Sequence, residues 1–106
     1  KKQAYAAPRS LRPWSQVVPD RGDFVEEAGY WAHELAFWGG DLNSTTSKLH
    51  YLKELGVDVL YLQPIEEAFS NHKYDASNYL EVDPDYGTME DFQRLVDGVH
   101  RLDMRL

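Results

Sequence analysis

The feature that most constrains the fold is a short apolar run between two helical patterns. Its residues are Val57-Asp58-Val59-Leu60-Tyr61-Leu62, and it ends at Gln63-Pro64, where the proline has no N–H to donate. A short run rich in β-branched and apolar residues is typical of a buried strand in a parallel sheet. The order helix, strand, long loop, helix and start of a further strand indicates an α/β protein.

The first helical pattern has apolar residues at spacings of three and four, and it predicts a helix over residues 42–55. We expect Asn43 or Ser44 to cap its beginning, because either side chain can accept a backbone N–H. Gly56 is expected to end the helix in a left-handed conformation, which glycine adopts without steric strain.

The second helical pattern predicts a helix over residues 88–101, with one apolar face. The Thr88 hydroxyl can accept the N–H of Asp91, three residues further on. Aspartate is one of the few residue types besides glycine that tolerate positive φ, so Asp103 is expected to make the exit turn. A further strand is expected to open at Met104.

The other residues form two segments without a regular period. Residues 1–38 contain prolines, glycines and many aromatic residues, and we interpret them as an irregular, aromatic-rich loop region that packs over an apolar surface. Residues 39–106 carry the α/β pattern. Within them, residues 65–87 form a long polar loop, and loops of this length in compact domains are more often functional than idle.

Length and composition exclude several classes of protein. The chain has 106 residues, one small domain, whereas a closed eight-stranded α/β barrel requires roughly 250. It has no cysteine, which excludes disulfide frameworks, cysteine-zinc sites and thiol catalysis. The net charge of −7 disfavours nucleic acid and anionic membranes as partners, and no apolar run is long enough to span a membrane. We therefore expect a soluble protein, cytoplasmic or secreted.

Motifs occur in a fixed order in the second segment. They are Trp38-Gly39-Gly40-Asp41-Leu42, then Ser70-Asn71-His72-Lys73-Tyr74-Asp75, then Asp83-Pro84 with Tyr86-Gly87-Thr88. In order and spacing they resemble glycoside hydrolase family 13, the α-amylase superfamily, and most closely its neopullulanase and cyclomaltodextrinase branch. The resemblance extends from about Trp38 to Leu106, and the residues before Trp38 match poorly.

This resemblance implies a partial (β/α)8 TIM barrel, in which the chain is the segment around the second strand. Residues 42–55 would be the first barrel helix, residues 57–62 the second strand, and residues 88–101 the helix that leads to the third strand. In the family the first strand would precede Lys1, and the catalytic carboxylates lie on later strands. Retaining hydrolysis needs two carboxyl groups about 5 to 5.5 Å apart, so we expect the 106 residues alone to be inactive, with no catalytic residue among them.

The resemblance also implies sugar-binding residues in the long loop. Tyr74 is similar to the tyrosine that stacks on the glucosyl ring beside the scissile bond, and its ring offers a flat apolar face with a polar hydroxyl. His72 resembles the histidine that contacts the same sugar ring, since neutral imidazole can donate and accept hydrogen bonds. Asn71 and Asp75 are further candidates, although for Asp75 we favour a structural role in its own loop.

Gly39 and Asp41 resemble half of a calcium site known in this branch. Calcium takes about six to eight oxygen ligands, so two residues are not a cage, and the partner loop would precede Lys1. Without that loop, calcium is not expected to bind. Alternatively, Gly39 is part of a turn and Asp41 caps the helix that begins at Leu42. The sequence favours neither interpretation over the other.

The resemblance therefore predicts part of a glycoside hydrolase or transglycosylase that acts on α-1,4- and α-1,6-linked glucan oligosaccharides from starch, cyclodextrin or pullulan. This chain would supply substrate-binding residues. The remainder of the barrel would be needed for stability, because a parallel strand normally has helices on both faces of its sheet. The alternative is a non-catalytic carbohydrate-binding or interaction module of the same ancestry. The sequence does not indicate an oligomeric state.

Overall fold

The computed structural model describes residues 10–16 and 21–106. The elements follow in the order β1 (Ser10–Arg12), β2 (Phe24–Val25), β3 (Tyr30–Trp31), a 3-10 helix (Ala32–Leu35), β4 (Ala36–Trp38), α1 (Leu42–Ser47), α2 (Leu49–Glu54), β5 (Glu66–Glu67), β6 (Asn78–Val82) and α3 (Met89–Arg101). Predictions that fall on residues 1–9 and 17–20 lie outside the described residues.

The named strands form separate pairs within the described residues. β1 lies parallel to β4, β2 and β3 form an antiparallel hairpin, and β5 pairs antiparallel with β6. The described part of residues 10–38, a region predicted to be irregular, thus contains strands of two or three residues and a 3-10 helix. Strands this short show no alternation of apolar and polar residues, so sequence periodicity does not reveal them.

The β5–β6 hairpin lies inside the predicted long loop, which is therefore partly regular. The register of this pair shifts between Glu66 and Glu67. The signal that could have revealed it is Tyr79-Leu80-Glu81-Val82, whose tyrosine and valine favour strands. The polar residues on either side of this run concealed it.

The predicted strand over residues 57–62 pairs in parallel with the end of the chain, as expected, but through a single bridge. Val59 lies opposite Arg105, and backbone hydrogen bonds of 2.8 and 2.9 Å flank the bridge. The expectation of a buried strand is wrong for this structure, because Val59 and Tyr61 are 60% and 85% exposed. No described element covers that face of the strand.

The predicted helix over residues 42–55 is instead two helices, α1 and α2, with a break at Lys48 (φ −101°, ψ 1°). The break follows a run of serines and threonines whose hydroxyls donate to backbone carbonyls. Thr46 Oγ1, for example, donates to the carbonyl of Leu42 at 2.8 Å. These bonds compete with the helical backbone pattern, an effect that the spacing of the apolar residues does not show.

The second predicted helix is confirmed as α3. Its N-cap Thr88 accepts the N–H of Asp91 at 3.2 Å, and the Asp91 carboxylate accepts the N–H of Thr88 at 2.8 Å. This reciprocal pair is a capping box. The predicted left-handed residues are also confirmed, with φ of 95° at Gly56 and 53° at Asp103.

The core lies between α3 and the α1–α2 pair. Its buried side chains are Leu42, Leu49, Leu95, Val99 and Met104. Gly98 permits a close approach of the helices, because an added Cβ would lie 2.7 Å from Leu49 Cδ1. The apolar stripes predicted for both helical segments therefore face each other.

The described structure is an open layer. It measures 46 × 32 × 17 Å, with a radius of gyration of 15.6 Å, whereas a compact chain of about 100 residues has ~13 Å. An open layer with an exposed strand face agrees with a partial barrel. None of the helices in the described part of the chain is long and apolar enough to cross a membrane.

Candidate substrate-binding site

The long polar loop folds around a buried lysine that the sequence analysis did not single out. The Lys73 side chain is fully buried, and its Nζ donates to the carboxylates of Asp83 at 2.9 Å and Asp85 at 2.7 Å. Nζ also donates to the carbonyl of Ala68 at 3.2 Å and lies 5.1 Å from the ring centroid of Phe37. Because a buried charge requires such partners, these contacts hold the two ends of the loop together.

Lys73 also determines how its neighbours are oriented. Its φ of 63° lies in the left-handed region, which is uncommon for lysine. While the Lys73 side chain is buried, the flanking residues are accessible: Tyr74 is 67% exposed, and the His72 side chain is 39% exposed. A lysine in a polar loop is normally solvated, so no sequence signal marked its burial.

Tyr74 presents an aromatic ring beside the end of the predicted strand. Its hydroxyl donates to Oε1 of Gln63, the residue before Pro64. Its ring centroid lies 6.0 Å from that of His72, with an angle of 33° between the rings. These contacts hold the ring while most of its surface stays exposed. A fixed, exposed aromatic face can stack on the C–H side of a sugar.

His72 has partners within the chain at both ring nitrogens. Nε2 lies 3.2 Å from Oε1 of Glu34. Nδ1 lies 3.1 Å from the backbone nitrogen of Tyr74 and 3.1 Å from Oγ of Ser70. The structure therefore brings His72 and Tyr74 together at the surface, and it engages both imidazole nitrogens with protein groups.

Asn71 attaches the loop to the N-terminal region. Its Nδ2 donates to the carbonyls of His33 at 2.7 Å and Ala36 at 2.8 Å. Its backbone N–H donates to the carbonyl of Glu34 at 2.8 Å. With its amide engaged in this way, Asn71 holds the loop in place.

Asp75, at the end of the Ser70–Asp75 motif, also joins the long loop to the N-terminal region. Its carboxylate accepts hydrogen bonds from the hydroxyls of Ser70 and Tyr30 and from the Ser70 N–H. Burial raises the pKa of Asp75, but these hydrogen bonds outweigh burial, so the pKa lies below its ordinary value. These contacts match the structural role that the sequence analysis favoured, and the Tyr30 donor could not be foreseen from 45 positions away.

We expect the protein to lose stability as the pH falls below about 4, because the pKa values of Asp75 and Asp91 are depressed by folding. The main cause for Asp91 is the Thr88 N–H. A depressed pKa stabilises the fold above the unfolded-state pKa, and this contribution disappears as the pH falls through the folded-state pKa. Urea unfolding from about pH 2 to 7 measures the loss. Asp75→Asn should make the acid slope shallower, and an unchanged slope would contradict this account.

Asp41, the residue with two competing interpretations, is the N-cap of α1. Its Oδ1 accepts the N–H of Ser44 at 2.7 Å, and the Ser44 hydroxyl accepts the N–H of Asp41 at 2.7 Å. The bonds from Ser44 hold the pKa of Asp41 below its usual value. The prediction that Asn43 or Ser44 is the cap is wrong, because the extended backbone at Asp41 already places its carboxylate over the first helical turn.

The calcium site stays a prediction. Among residues 10–16 and 21–106, no group of three or more His, Asp or Glu side chains is placed to hold a metal ion. Asp41 has one carboxylate oxygen engaged at the cap, and Gly39 offers one carbonyl. Two donors fall short of the roughly six to eight that calcium requires, so these residues do not fit calcium without ligands from elsewhere.

Comparison with known proteins gives consistent matches. The family model of the alpha-amylase catalytic domain matches residues 15–106. The chain is 40% identical over 100 residues to intracellular maltogenic amylase from Bacillus subtilis (strain 168), covering 94% of this chain and 15% of the relative. It is 46% identical over 71 residues to neopullulanase 2 from Thermoactinomyces vulgaris, covering 67% of this chain and 12% of the relative.

A solved structure with the same fold is the type III pullulan hydrolase from Thermococcus kodakarensis. The TM-score is 0.74 and the identity 32%, over 92% of this chain and 15% of that chain. The class that these matches define is the alpha-amylase type of catalytic domain.

The chain belongs to the alpha-amylase family, glycoside hydrolase family 13. The family inferred from the motifs is therefore confirmed. The family match begins at residue 15, so it also includes residues before Trp38, where the motifs begin. The chain spans 15% of the length of the maltogenic amylase and 12% of that of the neopullulanase.

Proposed function

We propose that this chain forms the segment around the second strand of an amylase-type catalytic barrel. The complete barrel would hydrolyse or transfer α-glucans such as starch, cyclodextrin or pullulan oligosaccharides by a retaining mechanism. The names of the relatives, maltogenic amylase and neopullulanase, support this substrate class. In this proposal the chain supplies substrate-binding residues, and the catalytic carboxylates come from other strands.

The observation that carries the proposal is the exposed ring of Tyr74, held by Gln63 and His72. The loop that carries Tyr74 leaves the predicted strand at its carboxyl end, where barrel enzymes build their active sites. Asn71 and Asp75 support the ring indirectly, because their hydrogen bonds fix the loop to residues 30–36. We therefore assign sugar contact to Tyr74 and to the adjacent His72 ring, and loop support to Asn71 and Asp75.

An uncovered apolar groove supports the barrel part of the proposal. It has a volume of about 550 Å³ and lies between residues 60–66 and α3. Its apolar lining includes Leu60, Leu62, Phe92, Val96 and Leu106. A neighbouring barrel strand would cover this surface, because parallel sheets are buried on both faces. A non-catalytic module is not favoured, since the similar proteins are named as enzymes.

Replacing Tyr74 in the complete barrel protein tests the proposal. We expect Tyr74→Ala to lower kcat/KM for maltotriose and β-cyclodextrin by about 100-fold, because the sugar ring loses the surface that positions it. The melting temperature should change little, since the side chain is mostly exposed. Steady-state kinetics and thermal melting measure the two effects.

Tyr51→Ala is the matched control, because Tyr51 is 60% exposed, lies on α2 and belongs to none of the family motifs. Its kinetics should equal those of the unsubstituted protein. Tyr74→Phe should keep most of the activity, since it retains the ring and loses only the bond to Gln63. Unchanged kinetics in Tyr74→Ala would remove this residue from the site. Glucan binding without turnover in the unsubstituted protein would support the binding module instead.

A further inference from the structure

The carboxylate of Glu34 joins the N-terminal region to the proposed sugar-binding loop. Its two oxygens have different partners: Oε2 accepts the backbone N–H of Trp31 at 2.9 Å, and Oε1 faces Nε2 of His72 at 3.2 Å. The Trp31 hydrogen bond holds the pKa of Glu34 below its usual value. The side chain is thus a carboxylate at neutral pH, and a carboxylate only accepts hydrogen bonds.

The partners of His72 determine which ring nitrogen carries the proton. Nε2 faces the Glu34 carboxylate, so Nε2 must donate. At the other nitrogen, the backbone N–H of Tyr74 can only donate, so Nδ1 must accept. The Ser70 hydroxyl donates its own proton to Asp75, so its oxygen, 3.1 Å from Nδ1, can only accept there and favours hydrogen on Nδ1. The Glu34 carboxylate and the Tyr74 N–H oppose this contact, and together they favour the tautomer with hydrogen on Nε2.

We infer that Glu34 is a positioning residue of the sugar site. By accepting from Nε2 of His72, it leaves Nδ1 free to accept the Tyr74 N–H, and it holds the imidazole beside the Tyr74 ring. Glu34 thus acts on the sugar through His72 and Tyr74, without touching it. This inference rests on the proposed role of Tyr74 in substrate binding.

Contacts that do not involve the Glu34 side chain keep the long loop docked against residues 30–36. Asn71 donates three hydrogen bonds to the carbonyls of residues 33, 34 and 36. Asp75 accepts from Tyr30 on the same segment. Because these bonds do not involve the Glu34 side chain, substitutions there should leave the segment docked, and the effect on His72 can be measured separately.

An amide cannot replace the carboxylate at this position. Glutamine has one accepting oxygen, whereas Trp31 and His72 each present a donor. If the amide keeps the bond to Trp31, its NH2 group faces Nε2 of His72 and favours the opposite tautomer. The Tyr74 N–H then loses its acceptor. Glu34→Gln is therefore a nearly isosteric variant that specifically disturbs the hydrogen bonds from Glu34 through His72 to Tyr74.

The test is a kinetic double-mutant cycle in the complete barrel protein, with maltotriose as substrate. We expect Glu34→Gln to raise KM by about tenfold, the effect of one hydrogen bond to a charged group, with a smaller change in kcat. His72→Gln should have a similar effect. The double variant should be no worse than His72→Gln alone, because Glu34 acts through His72. Glu27→Gln, an exposed glutamate in the same N-terminal region, is the control and should leave KM unchanged.

The outcomes separate this inference from the proposed function. An unchanged KM in Glu34→Gln, with a large loss in Tyr74→Ala, would overturn the role of Glu34 and leave the sugar site intact. Additive effects of Glu34→Gln and His72→Gln would also overturn it, since independent action would then explain both. Unchanged kinetics in Tyr74→Ala would refute the site itself. A fall in melting temperature with an unchanged KM would assign Glu34 to stability and overturn the inference.

Discussion

Replacing Lys73 with methionine is expected to lower the free energy of unfolding by about 3 to 5 kcal/mol, the usual loss when one partner of a buried ion pair is removed. Methionine keeps a long unbranched side chain, so the change removes the charge with little loss of volume. The Asp83 carboxylate, which is only 3% exposed, would then remain buried without its ammonium partner. Urea unfolding of the unsubstituted and variant proteins measures the difference.

A surface lysine provides the control for this prediction. Nζ of Lys53 lies 3.9 Å from Oδ1 of Asp58. The Lys53 side chain is 39% exposed and the Asp58 side chain is 85% exposed. Lys53→Met should therefore change stability by at most about 1 kcal/mol. Adding Asp83→Asn to Lys73→Met should restore part of the loss, because it removes the uncompensated charge. A Lys73→Met variant as stable as Lys53→Met would show that the buried pair contributes little.

Leu95→Ala is expected to lower the free energy of unfolding by about 2 to 5 kcal/mol, because it leaves a cavity at the centre of the core. Leu95 is 0% exposed and lies on the face of α3 that packs against α1 and α2. It belongs to the same buried cluster as Leu49 and Met104. Denaturant unfolding with tryptophan fluorescence measures the effect.

Leu80→Ala is the matched control for the core substitution. It removes the same atoms from a side chain that is 85% exposed, so the stability should change by less than about 0.5 kcal/mol. Equal losses in the two variants would mean that the α1–α3 contact does not dominate the stability of this region. Leu95→Met should cost less than about 1.5 kcal/mol, because methionine preserves most of the buried volume.

Several features that local chemistry controls were predicted correctly, although the N-cap of α1 is Asp41 and not Asn43 or Ser44. Thr88 and Asp91 are three residues apart and form the expected capping box, and Gly56 and Asp103 adopt the expected left-handed conformations. Each of these features depends on residues within one helical turn. The motif order also identified the family, because several short motifs at consistent spacings carry more information than any one of them.

The features that sequence reasoning missed depend on contacts between distant residues or on competition within a short run. The burial of Lys73 requires Asp83 and Asp85 to fold back over it. The link between Glu34 and His72 joins residues 38 positions apart. The break at Lys48 arises because serine and threonine hydroxyls compete with the helix, although the apolar spacing continues through it.

The sequence by itself determined the α/β order of the elements, the helix caps at Thr88 and Gly56, and the family, since these follow from neighbouring residues and their spacing. Only the tertiary structure decided which loop residues turn inward and which turn outward. Lys73 lies inside the loop, whereas Tyr74, the next residue, lies at the surface. The reason is that burial of a polar side chain depends on partners supplied from elsewhere in the chain, and no local pattern encodes their positions.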